Sequence, residues 1–307
     1  MDIVLQGTVD DSCPLSMLRA NNLVLNKISD IIDEDYDKHI DTVSVASKTG
    51  VAGYLFNDTP PLYTKWEFKF PEFSNINVNM MPFKIFKAKE TLPEYLHGYL
   101  KIIQSCPIHQ FDYSLQSNIH SQYTPDKICY LTIHESIVKK GEPQRRPGVH
   151  IERPGSISAL NGGRFLAREK ISNYNGEYYS LCWGMGTWVP RNCGGYPVDG
   201  IYMATNTANS CKIYDVLIDK PEEITDKHGG LDHILSNKIK NKGYFMEPNK
   251  LHWITDRTPH ESTPVDEDCK RQFFRLVVGK ISVWYSQHNT ANPLVEPDAP
   301  IINESKF

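Results

Sequence analysis

The chain has 307 residues, of which 40% are hydrophobic and 23% are charged, a balance typical of a globular protein rather than a disordered one. Its net charge of −4 argues against a dedicated nucleic-acid-binding protein, which usually has a strongly basic domain. No apolar run reaches the length of about 18 residues that a membrane span needs, and seven cysteines without a C-x-x-C pair argue against a disulfide framework.

The N-terminal sequence, MDIVLQGTVDDS, lacks the basic and apolar regions of a signal peptide. We therefore expect a soluble, intracellular protein with no membrane partner and no strong nucleic-acid signature.

The first third of the chain, residues 1–110, predicts a helical and mixed α/β N-terminal extension. Apolar residues at helical spacing across residues 14–40 indicate a helix or two. Residues 43–90 are rich in Val, Phe and Tyr in short alternations, which favours strands and loops. Residues 91–105 predict another helix, with Thr91 as its N-cap.

Beyond this extension the pattern changes to a succession of strands separated by Gly, Pro, Asn and Asp clusters. The predicted strands are residues 127–139, 177–190, 198–204, 211–219, 250–256, 271–279 and 280–286. Many strands with few helices favour one all-β sandwich or barrel over residues 111–290. Residues 291–307 are polar and Pro-rich, which predicts an extended C-terminal tail.

Two segments stand out among those that contain the eleven histidines. In the first, GVHIE, His150 and Glu152 are two residues apart, so an extended backbone places both side chains on one face. An imidazole and a carboxylate arranged in this way can bind one metal ion. The alternative is an ordinary ion pair on the surface.

The second segment is KLHWITDRTPHESTPV followed by RQFFRLVV. His260 follows a tight turn, and the next strand places Arg271, Phe273 and Arg275 on one face. A buried arginine needs an anion, because removing its charge from water is costly. Two histidines and one carboxylate form the facial triad of non-haem Fe(II) oxygenases, which leaves positions for a bidentate 2-oxoacid and O2. The alternative is that His260 only hydrogen-bonds to its own turn.

These segments together resemble the prolyl-hydroxylase-like 2-oxoglutarate/Fe(II)-dependent dioxygenases. The resemblance implies a double-stranded β-helix, a jelly-roll or cupin-like core, preceded by helices. It implies that His150, Glu152 and His260 bind Fe(II). It also implies that Arg271, or Arg275 in its place, binds the carboxylate of 2-oxoglutarate. The activity implied is hydroxylation of an unidentified substrate, such as a prolyl side chain or a small molecule.

The resemblance further implies that Tyr130 or His134, on the strand before the metal pair, assists in binding that carboxylate. Three features depart from the usual pattern of the family. Glu152 stands where Asp is commoner, and His150 and His260 are 110 residues apart. Arg271 also follows its histidine one residue later than usual.

Two other interpretations of the sequence stay open. One is a non-catalytic jelly roll that acts as a binding module or as a structural part of an assembly. The other is a metal-dependent enzyme of another class, such as a cupin-type isomerase or a dioxygenase that needs no 2-oxoglutarate. A basic cluster of Lys139, Lys140, Arg145, Arg146 and Arg153 surrounds the metal pair. We interpret it as a solvated loop, although such a cluster could attract an anionic substrate.

Overall fold

The protein is described by a computed structural model. It covers residues 43–45, 54–55, 68–110, 126–153, 169–173, 176–180, 182–189, 196–214, 216–218, 225–226, 228–303 and 306. The helix or helices predicted within residues 14–40 lie outside the described residues. The described part of the chain is mainly β, with antiparallel sheets and few helices, which confirms the coarse fold class expected from the sequence.

The largest sheet among the described residues has six strands, and each neighbouring pair is antiparallel. From one edge to the other they are β2 (Tyr54–Leu55), β13 (His252–Ile254), β9 (Ile201–Thr205), β15 (Cys269–Val277), β4 (Ile128–Val138) and β3 (Asn77–Lys84). Strands β4 and β15 are the longest of the six and pair over nine residues of β15. Because β3 pairs with β4, the segment before residue 110 shares a sheet with the strands after residue 126.

A second antiparallel sheet has three strands. They are, in order, β12 (Gly243–Phe245), β10 (Cys211–Tyr214) and β14 (His260–Ser262). The remaining antiparallel pairs are β1 (Val43–Val45) with β11 (Val216–Ile218), β5 (Glu169–Asn173) with β6 (Gly176–Ser180), and β7 (Thr187–Val189) with β8 (Tyr196–Val198). Strand β16 (Trp284–Tyr285) pairs in parallel with β17 (Ile301–Ile302). Of the strand predicted at residues 280–286, therefore, Trp284 and Tyr285 form β16, and Ile281 forms an isolated antiparallel bridge with Trp183.

The described helices are short. They are α1 (Ala88–Thr91), α2 (Leu100–Ser105) and α3 (His233–Ile239), with 3₁₀ segments at Ile85–Lys87, Glu94–Tyr99, Pro107–Gln110 and Lys240–Lys242. No helix within the described ranges is long and apolar enough to cross a membrane.

The helix predicted at residues 91–105 is a 3₁₀ segment followed by α2, and the prediction that Thr91 is its N-cap is wrong. Thr91 ends α1, and its hydroxyl donates to the carbonyl oxygen of Lys87 at 2.6 Å. Pro93 precedes the 3₁₀ segment with an extended backbone (φ −53°, ψ 143°), which separates Thr91 from the helix that it was expected to cap.

The side chains of β15 alternate between two buried environments, because successive strand residues point to opposite faces. Phe274 and Leu276 pack in a core that also contains Ile102 and Ile103 of α2. Phe273 packs in a different core, together with residues of the three-stranded sheet. This second face carries the cavity described below.

Candidate functional site

A cavity of about 480 Å³ lies on the face of β15 that carries Phe273. A cavity of this volume is within the range of small-molecule sites, about 300–1,000 Å³. Most of the predicted site residues line this cavity. They are His134, His150, Glu152, His260, Arg271 and Arg275. Tyr130 is buried but is not among the residues that line the cavity.

A pair of backbone hydrogen bonds brings the two predicted histidine ligands together. The N–H of His150 donates to the carbonyl oxygen of His260 at 3.0 Å, and the N–H of His260 donates back to His150 at 2.8 Å. This antiparallel bridge places the two ring centroids 4.6 Å apart. Glu152 follows two residues later, and its Oε1 is 3.5 Å from Nε2 of His260. Three side chains separated by up to 110 residues therefore meet at one wall of the cavity.

The other ring nitrogen of each histidine contacts a backbone carbonyl oxygen. Nδ1 of His150 is 2.8 Å from the carbonyl oxygen of Gly148, and Nδ1 of His260 is 3.0 Å from that of Thr258. Because a carbonyl oxygen can only accept, each Nδ1 carries a proton, and an imidazole that is neutral in this tautomer keeps a lone pair on Nε2. Metal-binding histidines commonly donate their second N–H in this way. Burial, and then the neighbouring His260, lowers the pKa of His150 well below its usual value, so its imidazole is neutral near pH 7.

Glu152 is a buried anion, with 5% of its surface exposed. Nη1 of Arg275 donates a hydrogen bond to its Oε1. Burial opposes the ionisation of Glu152, but Arg275 and His260 together hold the pKa of this carboxyl well below its usual range. The alternative of an ordinary surface ion pair between His150 and Glu152 is therefore wrong, because the carboxylate is buried and its ionic partner is Arg275.

The two arginines of β15 differ in what they contact. Besides its bond to the carboxylate, Arg275 donates from Nη2 to side-chain oxygens of Asn79 at 3.3 Å and Thr132 at 3.2 Å. Arg271 is completely buried, and its Nη1 donates to the hydroxyl of Ser262 at 2.9 Å. Its Nε and Nη2 have no hydrogen-bond partner among the described residues. Burying unpartnered donors on a cation is costly, and an anion in the cavity would reduce that cost. Arg275 has one such nitrogen, its Nε, so among the described residues Arg271 keeps more donors for a ligand than Arg275 does.

His134 and Tyr130 are on the same face of β4 but at different distances from Arg271. His134 is the register partner of Phe273, and Tyr130 is the partner of Val277, at the far end of β15. Burial, and then the positive charges of Arg145 and Arg271, lowers the pKa of His134 to about 4. His134 is therefore a neutral hydrogen-bonding group beside Arg271 near pH 7, whereas Tyr130 lies away from it.

Several cavity residues were not assigned to the site from the sequence. They are Arg145, Arg146, Trp183, His228, His288 and Lys306. The interpretation of the basic cluster as a solvated loop is wrong for Arg145 and Arg146, which line the cavity, although Lys139 and Lys140 of the same cluster are exposed. The signal available in the sequence was their position, five and four residues before His150. Nothing in the sequence indicates that Lys306 reaches the cavity.

The donor set formed by His150, Glu152 and His260, two imidazoles and one carboxylate, is the set that non-haem Fe(II) prefers. In the described conformation, however, no three His, Cys, Asp or Glu side chains of the described residues form a closed metal-binding group. A metal held by these three residues would compete with Arg275 for the carboxylate. No protein-family model, curated protein or solved structure matches the chain. The chemistry of the cavity is therefore the basis for assigning a function.

Proposed function

We propose that the protein is an enzyme, a 2-oxoglutarate- and Fe(II)-dependent oxygenase that hydroxylates a substrate bound in the cavity. The observation that carries the proposal is that the three predicted metal ligands and a buried arginine meet in one cavity. His150, Glu152 and His260 share one wall of a cavity that also contains Arg271. Arg271 is a completely buried cation, and two of its nitrogens have no hydrogen-bond partner among the residues that the structure describes; such a group is expected to bind the far carboxylate of a 2-oxoacid.

We also propose that the two sheets form a double-stranded β-helix. The support is that both sheets supply residues to the same cavity. Arg271 and Arg275 come from β15 of the six-stranded sheet, and His260 begins β14 of the three-stranded sheet. A cavity lined from two antiparallel sheets is the arrangement in which such folds bind small ligands.

The roles of the residues follow from their contacts. His150 and His260 would bind Fe(II) through their Nε2 atoms, because each Nδ1 is held by a backbone carbonyl oxygen. Glu152 would supply the carboxylate ligand. When bound, Fe(II) with 2-oxoglutarate and O2 supplies the oxidation that converts a substrate C–H bond to C–OH, with release of succinate and CO2. Arg271 would hold the far carboxylate of 2-oxoglutarate, assisted by Ser262 on its Nη1 side.

A second candidate function is binding of an anion without catalysis. The observation in its favour is the ion pair between Glu152 and Arg275, which already compensates the charge of the carboxylate without a metal. The cupin-type enzyme that needs no 2-oxoacid is less well supported, because it predicts no buried arginine facing the site, whereas Arg271 lines the cavity.

The experiment that tests the proposal is thermal unfolding in the presence of Mn(II), 2-oxoglutarate, or both. We expect 2-oxoglutarate to stabilise the protein only when Mn(II) is present. A ligand that binds only the folded state stabilises it by about 2.7 kcal/mol at a hundredfold excess over its dissociation constant, which is easily measured. The variant H260A should lose this response. The matched control H233A, which removes an exposed histidine at the start of α3, should keep it.

Each other outcome supports a different conclusion. Stabilisation by 2-oxoglutarate that does not depend on Mn(II) would support the anion-binding candidate. A full response in H260A would show that the metal ligands are assigned wrongly. If neither ligand shifts the transition of the wild-type protein, the oxygenase proposal is overturned.

A further inference from the structure

The cavity has a large excess of basic side chains, although the whole chain has 33 Lys and Arg against 37 Asp and Glu. Among the described residues that line it, the charged side chains are Arg145, Arg146, Arg271, Arg275 and Lys306 against Glu152 and Glu261. Both glutamates already have partners within the protein. Glu152 pairs with Arg275, and Glu261 accepts a hydrogen bond from Tyr214 Oη at 2.5 Å. The cavity is therefore a site of concentrated positive charge in an acidic protein.

This excess is larger than the proposed oxygenase reaction requires. In the proposed site, Fe(II), Arg271 and Arg275 together carry four positive charges, against three negative charges on 2-oxoglutarate and Glu152. Arg271 is assigned to the far carboxylate of 2-oxoglutarate. Arg145, Arg146 and Lys306 are further basic side chains of the cavity to which the proposed reaction gives no role.

Arg145 is the clearest of the three. Its Cζ lies 4.9 Å from the centroid of the Phe273 ring, a cation–π contact that fixes the guanidinium on the cavity side of β15. In the part of the chain that the structure describes, its guanidinium has no ion pair and no hydrogen bond. Burial, and then the charge of Arg275, lowers the pKa of Arg145, which is the direction expected for a cation crowded by other cations. An anion beside Arg145 would offset both the cost of burying its charge and the repulsion from Arg275.

Arg146 and Lys306 extend this region of positive charge. Nη1 of Arg146 donates to the carbonyl oxygen of His228 at 3.2 Å. Nζ of Lys306 lies 4.6 Å from the centroid of the Trp183 ring. Burial lowers the pKa of Lys306 to about 8; the charge of Glu152 opposes this shift, and the charges of Arg275 and Arg146 add to it. The basic groups therefore influence one another within one cavity.

Two uncharged donors provide an independent indication of an anion site. Nε1 of Trp183 and Nδ2 of Asn289 both belong to buried residues that line the cavity. Neither nitrogen has a hydrogen-bond partner within the described ranges. Buried polar groups are normally hydrogen-bonded, so unpartnered N–H groups in a cavity indicate where acceptor atoms of a ligand bind.

We propose that Arg145, with Arg146 and Lys306, forms an anion subsite, and that the primary substrate is a small molecule with a carboxylate, phosphate or sulfate group. This inference rests on the proposed function, since it assigns Arg271 to 2-oxoglutarate and the other basic groups to the substrate. The planar guanidinium of Arg145 suits an oxyanion, because it can donate two parallel hydrogen bonds. The acidic group of the substrate would then position a neighbouring C–H bond for oxidation.

The test is calorimetric titration of the full-length protein, loaded with Mn(II) and 2-oxoglutarate, with inorganic phosphate and separately with sulfate. We expect binding to the wild-type protein. The variant R145Q should weaken it about tenfold to a hundredfold, the usual effect of losing a hydrogen bond to a charged group. R145K keeps the charge and should retain part of the affinity. The control K140Q removes an exposed lysine outside the cavity and should not change the affinity.

The result that would overturn the subsite is no binding of either anion to the loaded wild-type protein, or equal weakening in R145Q and K140Q. A larger loss of 2-oxoglutarate affinity than of phosphate affinity in R145Q would also overturn it, because Arg145 would then belong to the co-substrate site. If R145Q does not fold, R145K decides by whether its phosphate affinity falls at an unchanged melting temperature.

Failure of the proposed function gives a different result from failure of the subsite. If Mn(II) and 2-oxoglutarate do not bind, the same titration is made on the unloaded protein. A loss of phosphate affinity in R145Q would then support the subsite in a protein that is not an oxygenase.

Discussion

Strands β4 and β15 carry a buried polar cluster on each of their two faces, and only one of these clusters is internally satisfied. On the face toward α2, Glu135 accepts hydrogen bonds from Tyr99 Oη at 2.6 Å and from Gln272 Nε2 at 2.8 Å. It also accepts from the backbone N–H groups of Ser74 at 2.7 Å and Ile76 at 3.0 Å. A carboxylate with four protein donors needs no ligand from outside the protein.

On the opposite face the cluster is incomplete. Arg271 is completely buried, yet two of its three nitrogens have no partner in the described part of the chain. The two clusters lie on the same pair of strands, so the difference does not come from the position in the sheet. It is the difference expected if the cluster around Glu135 serves folding and the cluster around Arg271 binds the proposed ligand.

The largest expected effect on stability comes from breaking the satisfied cluster. The variant E135A removes the acceptor of four hydrogen bonds at a position that is 2% exposed, although Gln272 Nε2 keeps its bond to the carbonyl oxygen of Pro71 at 3.0 Å. We expect the free energy of unfolding to fall by about 3–5 kcal/mol. Urea denaturation measures this change, and E142A, which removes an exposed glutamate, should change it by less than about 0.5 kcal/mol. A loss below about 1 kcal/mol in E135A would show that the cluster does not stabilise the fold.

A somewhat smaller loss of stability should appear when the pH is lowered. Groups on the cavity face should cause it at a higher pH than the Glu135 cluster does. His252 is the register partner of Met203, which lines the cavity, and burial lowers the pKa of His252 to about 4. In the unfolded chain a histidine has a pKa of about 6.5, so between pH 6.5 and 4 the unfolded state binds a proton that the folded state does not. Stability should therefore fall as the pH drops through this window, by up to about 3 kcal/mol from His252.

The Glu135 cluster should respond only at lower pH. Burial opposes the ionisation of Glu135, but its hydrogen bond from Tyr99 and its other donors keep its pKa below the usual value. The stability that Glu135 contributes is fully present above the pKa of this carboxyl in the unfolded chain. It is lost as the pH falls through the pKa of the carboxyl in the folded protein. Urea denaturation at pH 7.5, 5.5 and 4.5 separates the two faces. The variant H252Q should reduce the change between pH 7.5 and 5.5 without abolishing it, because His134, His150 and His288 also have lowered pKa values. The exposed control H233Q should leave the change as it is, and a wild-type stability that is constant over that range would contradict the assignment.

Local pattern in the sequence was sufficient to predict much of the fold. The long strands β4 and β15 were predicted within a few residues, because strand alternation and turn residues are local signals. The same alternation places Arg271 and Arg275 on one face. The helix at residues 91–105 was less well predicted, because capping depends on the backbone at Pro93, which the residue types alone did not reveal.

The site could be predicted only in part, because it depends on contacts between distant residues. The spacing of His150 and Glu152 is local, but which arginine is free depends on the bond between Arg275 and Glu152, which are 123 residues apart. Whether Arg145 is a loop residue or a cavity residue depends in the same way on its contact with Phe273. Such contacts are tertiary, and no periodicity in the sequence reports them.

The smallest expected effect on stability is also the sharpest test of the comparison. The variant R271M replaces a completely buried cation by an apolar side chain of similar length, and the Ser262 hydroxyl keeps the backbone N–H of Arg145 as a donor at 3.3 Å. Buried charged groups can often be replaced in this way at little cost, so we expect the free energy of unfolding to change by less than about 1 kcal/mol. The affinity for 2-oxoglutarate in the presence of Mn(II) should fall about tenfold to a hundredfold. Urea denaturation and calorimetry measure the two quantities on the same sample. A loss of stability as large as that of E135A would mean that Arg271 serves the fold, whereas a stable protein that no longer binds the 2-oxoacid would mean that the unpartnered nitrogens are kept for the ligand.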